Sequence, residues 1–192
     1  KNSSSLFPNK IAFTNLNSTL TYKDIDKYSI KFGAYLQTKL SIKKGSKIAI
    51  MLPNLLTYPV ALFGSYLAGG IVININPLFK SREIENALND SQSETIIVLD
   101  RFISELEPII KNTYIKNIIV CKVTDLLSPT MSILVKTVMF FKGPKIQLKY
   151  NYLLFSDALK NSYNMINIVL KNNDIALLQY TGGTTGKSKA AV

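Results

Sequence analysis

Residues 47–75 read KIAIMLPNLLTYPVALFGSYLAGGIVINI. A short apolar run, 47–52, is closed by Pro53; residues 55–68 have the length of a helix and stop at Gly69-Gly70; residues 71–75 form a second apolar run. Proline and glycine at these places end elements rather than interrupt them. Two apolar strands joined through a helix make a βαβ unit, whose strands run parallel. The competing interpretation is a membrane span, because residues 48–79 carry no charged side chain. Pro53, Asn54, Pro59, Gly69, Gly70, Asn74, Asn76 and Pro77 cut that stretch into pieces shorter than the ~20 apolar residues a crossing helix needs.

The same rhythm extends outward. Upstream, Thr21 and Asp24 have the spacing of a capping box, and Ile25, Tyr28, Phe32, Tyr35 and Leu36 recur at helical spacing, which predicts an amphipathic helix over 22–39. Downstream, Ser81 is the expected cap of a helix over 82–89, followed by a strand at 95–99, a helix over 103–112 and a strand at 117–121. This alternation predicts an α/β fold: a mainly parallel sheet with helices on both faces.

From 122 to 150 the rhythm breaks. Pro129 precedes MSILVKTVMFF (131–141), a nearly all-apolar helix candidate with Lys142, Lys145 and Lys149 after it. Two roles stay open for it: peripheral contact with a membrane interface, or packing against the sheet or against further protein. A helix near 155–162 follows, and Asp174 is expected to open the last strand, 175–180.

Composition narrows the chemistry. The chain has 192 residues, 47% of them hydrophobic, enough to bury a sizeable core. Histidine is absent and Cys121 is the single cysteine, so a Ser-His-Asp triad, a Cys-His pair, His-ligated zinc and an internal disulfide are excluded. Cys121 ends an apolar run and is expected in the core. The net charge is +11, but Arg82 and Arg101 are the only arginines and the lysines are scattered. That argues against a nucleic-acid partner, which favours arginine forks on a clustered basic face. Residues 1–10 lack the apolar core of a signal peptide. Position 1 is Lys, and Val192 follows directly on a glycine-rich loop; both ends read as cut, so residues 1–192 are expected to be part of a larger domain.

That loop carries the chemistry. Tyr180, Thr181, Gly182, Gly183, Thr184, Thr185, Gly186, Lys187, Ser188, Lys189, Ala190 and Ala191 follow one another directly after an apolar run. Three glycines let the backbone turn and approach a ligand, and hydroxyls with successive N–H groups form an anion-binding nest beside a lysine. A nucleotide phosphate is the natural guest; a plain polar turn is the bland alternative. Gly186-Lys187-Ser188 imitates the end of a Walker A loop, but that motif needs glycine at the position held by Thr181.

The loop resembles the signature of the adenylate-forming superfamily, and within it LQYTGGTTG (178–186) is similar to the bacterial long-chain acyl-CoA ligases. MLPNLLTYPVALFG (51–64), IVININPL (71–78) and FGAYLQ (32–37) extend the likeness over nearly the whole chain, most weakly across 122–150. The resemblance implies the amino-terminal part of that fold. It also implies an AMP-forming ligase that uses Mg2+ and ATP to convert a long-chain fatty acid to acyl-adenylate, then passes the acyl group to CoA. By the same resemblance, 180–191 bind the nucleotide, Lys189 holds the loop or the pyrophosphate, Lys187 is a variable position, and Thr181 touches magnesium. The expected location is cytoplasmic, with peripheral contact to the inner membrane through 131–141 standing beside packing as the two open roles of that segment. Ala190 stands where the family prefers glycine. The remaining catalytic residues are expected beyond Val192, so this chain alone is expected to be inactive. A nonenzymatic binding fragment is the alternative.

Overall fold

The computed structural model describes residues 2–142, 149–181 and 189–191. Its centre is a seven-stranded sheet built from β3 (Lys47–Met51), β4 (Ile71–Asn74), β5 (Thr95–Leu99), β6 (Asn117–Cys121), β7 (Leu153–Leu154), β8 (Leu177–Thr181) and β9 (Lys189–Ala191), in the order β7-β6-β5-β3-β4-β8-β9. Every neighbouring pair is parallel except β8–β9, which is antiparallel. The expected parallel sheet and its first four strands are therefore present. In place of a membrane span, residues 48–79 form β3, the helix α3 (Thr57–Leu67), and β4. No helix among the described residues is long and apolar enough to cross a membrane.

Strand alternation divides the core between the two faces. Ile48, Ile50, Ile97, Leu99, Ile119 and Cys121 point to one face, packed by α2 (Tyr22–Leu40), α3 and α7 (Phe155–Ala158). Ala49, Met51, Ile96, Val98, Ile118 and Val120 point to the other, packed by α4 (Ser81–Ser91) and α5 (Ile103–Leu106). Both faces being covered is why these strands read as continuous apolar runs. Cys121 is fully buried, as expected, and burial pushes its thiol well above the ordinary range.

The capping box of α2 is realised: the Asp24 N–H donates to Thr21 Oγ1 at 3.2 Å and the Thr21 N–H donates to Asp24 Oδ2 at 3.0 Å. Helices α2 and α3 meet at Gly64, where an added Cβ would stand 2.7 Å from the Phe32 ring. Glycine is thus required by close helix approach rather than by backbone conformation.

Several local expectations are corrected. Ser81 does not cap α4; it is the first helical residue, and its N–H and Oγ both donate to Glu105 Oε2, at 3.1 and 3.0 Å. The cap position is Lys80, whose extended N–H donates to Glu83 Oε2 at 2.9 Å. Residues 103–112 are not one helix, because Pro108 cannot supply an N–H: α5 stops at Leu106 and a tighter helix covers Glu107–Asn112. The helix expected over 155–162 ends at Ala158.

After it, residues 161–171 adopt no regular secondary structure and run along α2. Gln37 holds them through both amide atoms, donating to the Ile166 carbonyl at 3.0 Å and accepting from the Ile166 N–H at 2.9 Å. The last parallel strand begins at Leu177 rather than at 175. Asp174, instead of opening it, closes a turn with the Lys171 N–H and pairs with Lys44 at 2.5 Å. Near the amino terminus, a helix α1 (Asn2–Leu6) and an antiparallel hairpin of β1 (Ile11–Asn15) and β2 (Ser18–Thr21) lie outside any sequence expectation. Helix α6 (Pro129–Lys142) confirms the expected helix over 131–141 and leaves Ile133, Leu134 and Val138 more than half exposed.

Candidate functional site

In an open parallel sheet the ligand crevice lies beyond the carboxyl ends of the strands, where successive connections leave to opposite faces. Here α3 follows β3 onto one face and α4 follows β4 onto the other. The carboxyl ends of β3, β4 and β8, with the chain after the first two, line one crevice: Leu52, Pro53 and Asn54 follow β3, residues 74–79 end and follow β4, and Gln179 and Tyr180 belong to β8.

The predicted phosphate loop starts at this edge. Strand β8 lies beside β4, with Asn74 opposite Gln179, and β9 returns along β8 with Tyr180 opposite Ala190 and Thr181 opposite Lys189. The fold thus brings together the backbones of Thr181 and Lys189, eight positions apart in sequence, at the mouth of a hairpin. Residues 182–188, which include Gly182, Gly183, Thr184, Thr185, Gly186, Lys187 and Ser188, lie outside the described residues. Ala190 is accommodated within β9, half-buried against the second core cluster.

Tyr180 is only 4% exposed; its hydroxyl donates to Asp90 Oδ2 at 2.5 Å. Burial first, then the hydrogen bond and the negative charge of Asp90, push the phenol far above its usual range. It stays protonated and acts as a fixed donor. Gln179, one residue earlier, faces the opposite side of the sheet: Asn74 Nδ2 donates to Gln179 Oε1 at 2.8 Å, and Gln179 Nε2 donates to the Tyr180 carbonyl at 3.2 Å. Tyr58 of α3 joins from the first face. Burial raises its phenol above the usual range, and a hydrogen bond with Asn74 offsets part of that rise.

Sequence reading singled out the loop and missed Asn74, Tyr58 and Asp90. The signal available was weak: Asn74 is an amide inside an otherwise apolar strand, IVINI. Among the described residues no group of three or more His, Cys, Asp or Glu side chains is assembled for a metal.

The sequence model of the AMP-binding enzyme family matches residues 1–192. The chain is 42% identical over 186 residues to a long-chain-fatty-acid–CoA ligase of Escherichia coli O157:H7, covering 94% of this chain and 33% of that protein. It is 32% identical over 197 residues to one from Bacillus subtilis, covering 99% and 34%. It therefore spans about a third of the length of the curated relatives it matches. Among solved structures, an anthranilate CoA ligase in complex with anthranoyl-AMP superposes with a TM-score of 0.79 at 22% identity, over 98% of this chain and 32% of that one. A long-chain-fatty-acid-CoA ligase from Archaeoglobus fulgidus gives 0.72 at 20% identity, over 98% and 34%. These two show the fold alone.

Proposed function

The chain belongs to the AMP-binding enzyme family, and we propose that residues 1–192 form the amino-terminal portion of an AMP-forming long-chain-fatty-acid–CoA ligase. Relatives bearing that name are 32–42% identical over at least nine-tenths of the chain. The observation that carries the reading is the β8–β9 hairpin at the carboxyl edge of the sheet, with Thr181 and Lys189 paired at its mouth.

In this reading the sequence from Tyr180 to Ala191 receives the phosphates of ATP. Backbone N–H groups and threonine hydroxyls of the loop orient the β- and γ-phosphates, and Lys189 supplies positive charge as pyrophosphate leaves. The fatty-acid carboxylate oxygen attacks the α-phosphorus, the bond to the bridging oxygen of pyrophosphate breaks, and acyl-adenylate forms. The CoA thiol then takes the acyl group and AMP leaves. Magnesium commonly rides on substrate phosphates with few protein ligands. No carboxylate cluster among the described residues fits a resident ion, so Thr181 is its one protein contact proposed in this chain.

A cytoplasmic location follows from the same reading, with the exposed face of α6 as the peripheral contact to the inner membrane. Fatty-acid-dependent exchange of labelled pyrophosphate into ATP, by a polypeptide of the relatives' full length, tests the reaction. Exchange with oleate is the expected result. Exchange with an aromatic acid but no fatty acid would move the substrate class toward that of 4-coumarate–CoA ligase 1 of Petroselinum crispum, 27% identical over 174 residues. Release of ADP in place of AMP would overturn the reading.

A further inference from the structure

We infer that Gln179, held by Asn74, is a positioning residue for the phosphate loop: the amide pair fixes where β8 ends and hence where the loop begins. The inference rests on the proposed nucleotide role of that loop.

The loop leaves from Thr181, so the last two residues before it set its origin. Their side chains are fastened on opposite faces of the sheet. On one face Tyr180 is tied to Asp90 of α4. On the other, Gln179 accepts from Asn74 at 2.8 Å, and its amide nitrogen donates to the Tyr180 carbonyl at 3.2 Å. Asn74 and Gln179 are register partners of β4 and β8, so their side chains leave neighbouring strands at the same level.

A polar link therefore runs from β4 to the last backbone carbonyl before Thr181. A buried apolar pair could seal the crevice equally well but would leave this carbonyl without its side-chain donor and the strand free to slide or twist. An amide pair has one satisfied arrangement, and that directionality is what a loop origin needs. Neither residue carries a charge or lies within the loop, which argues for placement rather than direct chemistry.

Two measurements separate this inference from the function beneath it. The first uses the chain without nucleotide. Gln179→Met keeps the side-chain length and removes both hydrogen bonds. Amide hydrogen exchange at Tyr180, Thr181 and 189–191 should quicken about tenfold, with β5 and β6 unchanged. Gln179→Glu, which keeps the acceptor for Asn74 and loses the donor to Tyr180, should fall between; it also serves if the methionine variant fails to fold. Unaltered exchange at the hairpin in either folded variant overturns the inference.

The second uses a polypeptide of the relatives' length in the pyrophosphate assay. Positioning predicts that Gln179→Met lowers kcat about tenfold while KM for ATP moves less than about threefold. A rise in KM with unchanged kcat would make Gln179 a nucleotide contact and sink the positioning role. No exchange activity in the wild type would refute the proposed function alone and leave the hydrogen-exchange result standing.

Discussion

Tyr180 Oη lies 2.5 Å from Asp90 Oδ2 and donates to it, fastening a buried residue of β8 to the carboxyl-terminal turn of α4. Tyr180→Phe keeps the ring in the second core cluster and removes the hydroxyl that bonds Asp90 and interacts with Ser91. Asp90 is exposed and finds water instead, so no buried acceptor is orphaned. The expected loss is about 1 kcal/mol of unfolding free energy, read as a lower urea midpoint at unchanged slope. An unchanged midpoint would show that burial of the ring alone holds β8.

What was legible in the sequence followed from covering both faces of the sheet. Apart from Thr95 and Asn74, strands β3 to β6 are apolar at their inward positions on both sides, and Pro53 with Gly69-Gly70 mark their ends, so runs and punctuation sufficed. The β1–β2 hairpin was not legible: its turn places Leu16 and Asn17 at positive φ, and Leu16 is not a residue that announces one. Around 103–112 Ile103, Leu106 and Ile110 are buried at helical spacing, but Pro108 turns the second half into a tighter helix. The phosphate loop could be read because its residues are contiguous. Its supports could not: Asn74 and Gln179 are 105 positions apart, and Tyr180 and Asp90 are 90 apart. Such pairs depend on strand order and register, which no local pattern encodes.

Asp125 provides a pH test of a different part of the fold. Burial raises its carboxyl above the usual range and nearby Asp100 adds to the rise; the Lys122 N–H, which donates to it at 2.8 Å, and the charges of Lys122 and Lys136 oppose it. A carboxyl that holds its proton more tightly when folded favours folding below its unfolded pKa. That advantage is lost as pH rises from the ordinary carboxylate range through the raised folded value. Asp125→Asn retains an acceptor for Lys122 and removes the charge. Its thermal midpoint should exceed that of the wild type near neutral pH and converge with it at about pH 4. A gap that widens in acid instead would show the carboxylate to be stabilising.

Helix α6 leaves Ile133, Leu134 and Val138 exposed by 67, 56 and 51%. If this face meets lipid, flotation with liposomes should strengthen with anionic lipid and weaken with salt. Replacing Ile133 and Val138 together by Ser should release the chain without lowering its thermal midpoint, since neither residue is buried. Absence of binding to anionic vesicles at low salt would remove the membrane role and leave α6 as a packing surface.

The two loop lysines make opposite predictions under two assignments. Lys189 belongs to β9 and is the register partner of Thr181, at the mouth of the hairpin, while Lys187 occupies the position that a Walker A loop would use. In a polypeptide of the relatives' length, Lys189→Ala should slow fatty-acid-dependent pyrophosphate exchange by about 10²–10³, the cost of one oriented electrostatic donor in the transition state. ATP affinity should change far less, because the contact strengthens as charge develops on the departing pyrophosphate. Lys187→Ala should leave the rate within about threefold of wild type, since a variable position supplies no fixed donor. The reverse order would restore the Walker-type reading. Equal rates in both variants would remove Lys189 from the phosphate site and leave the backbone nest to hold the anion unaided.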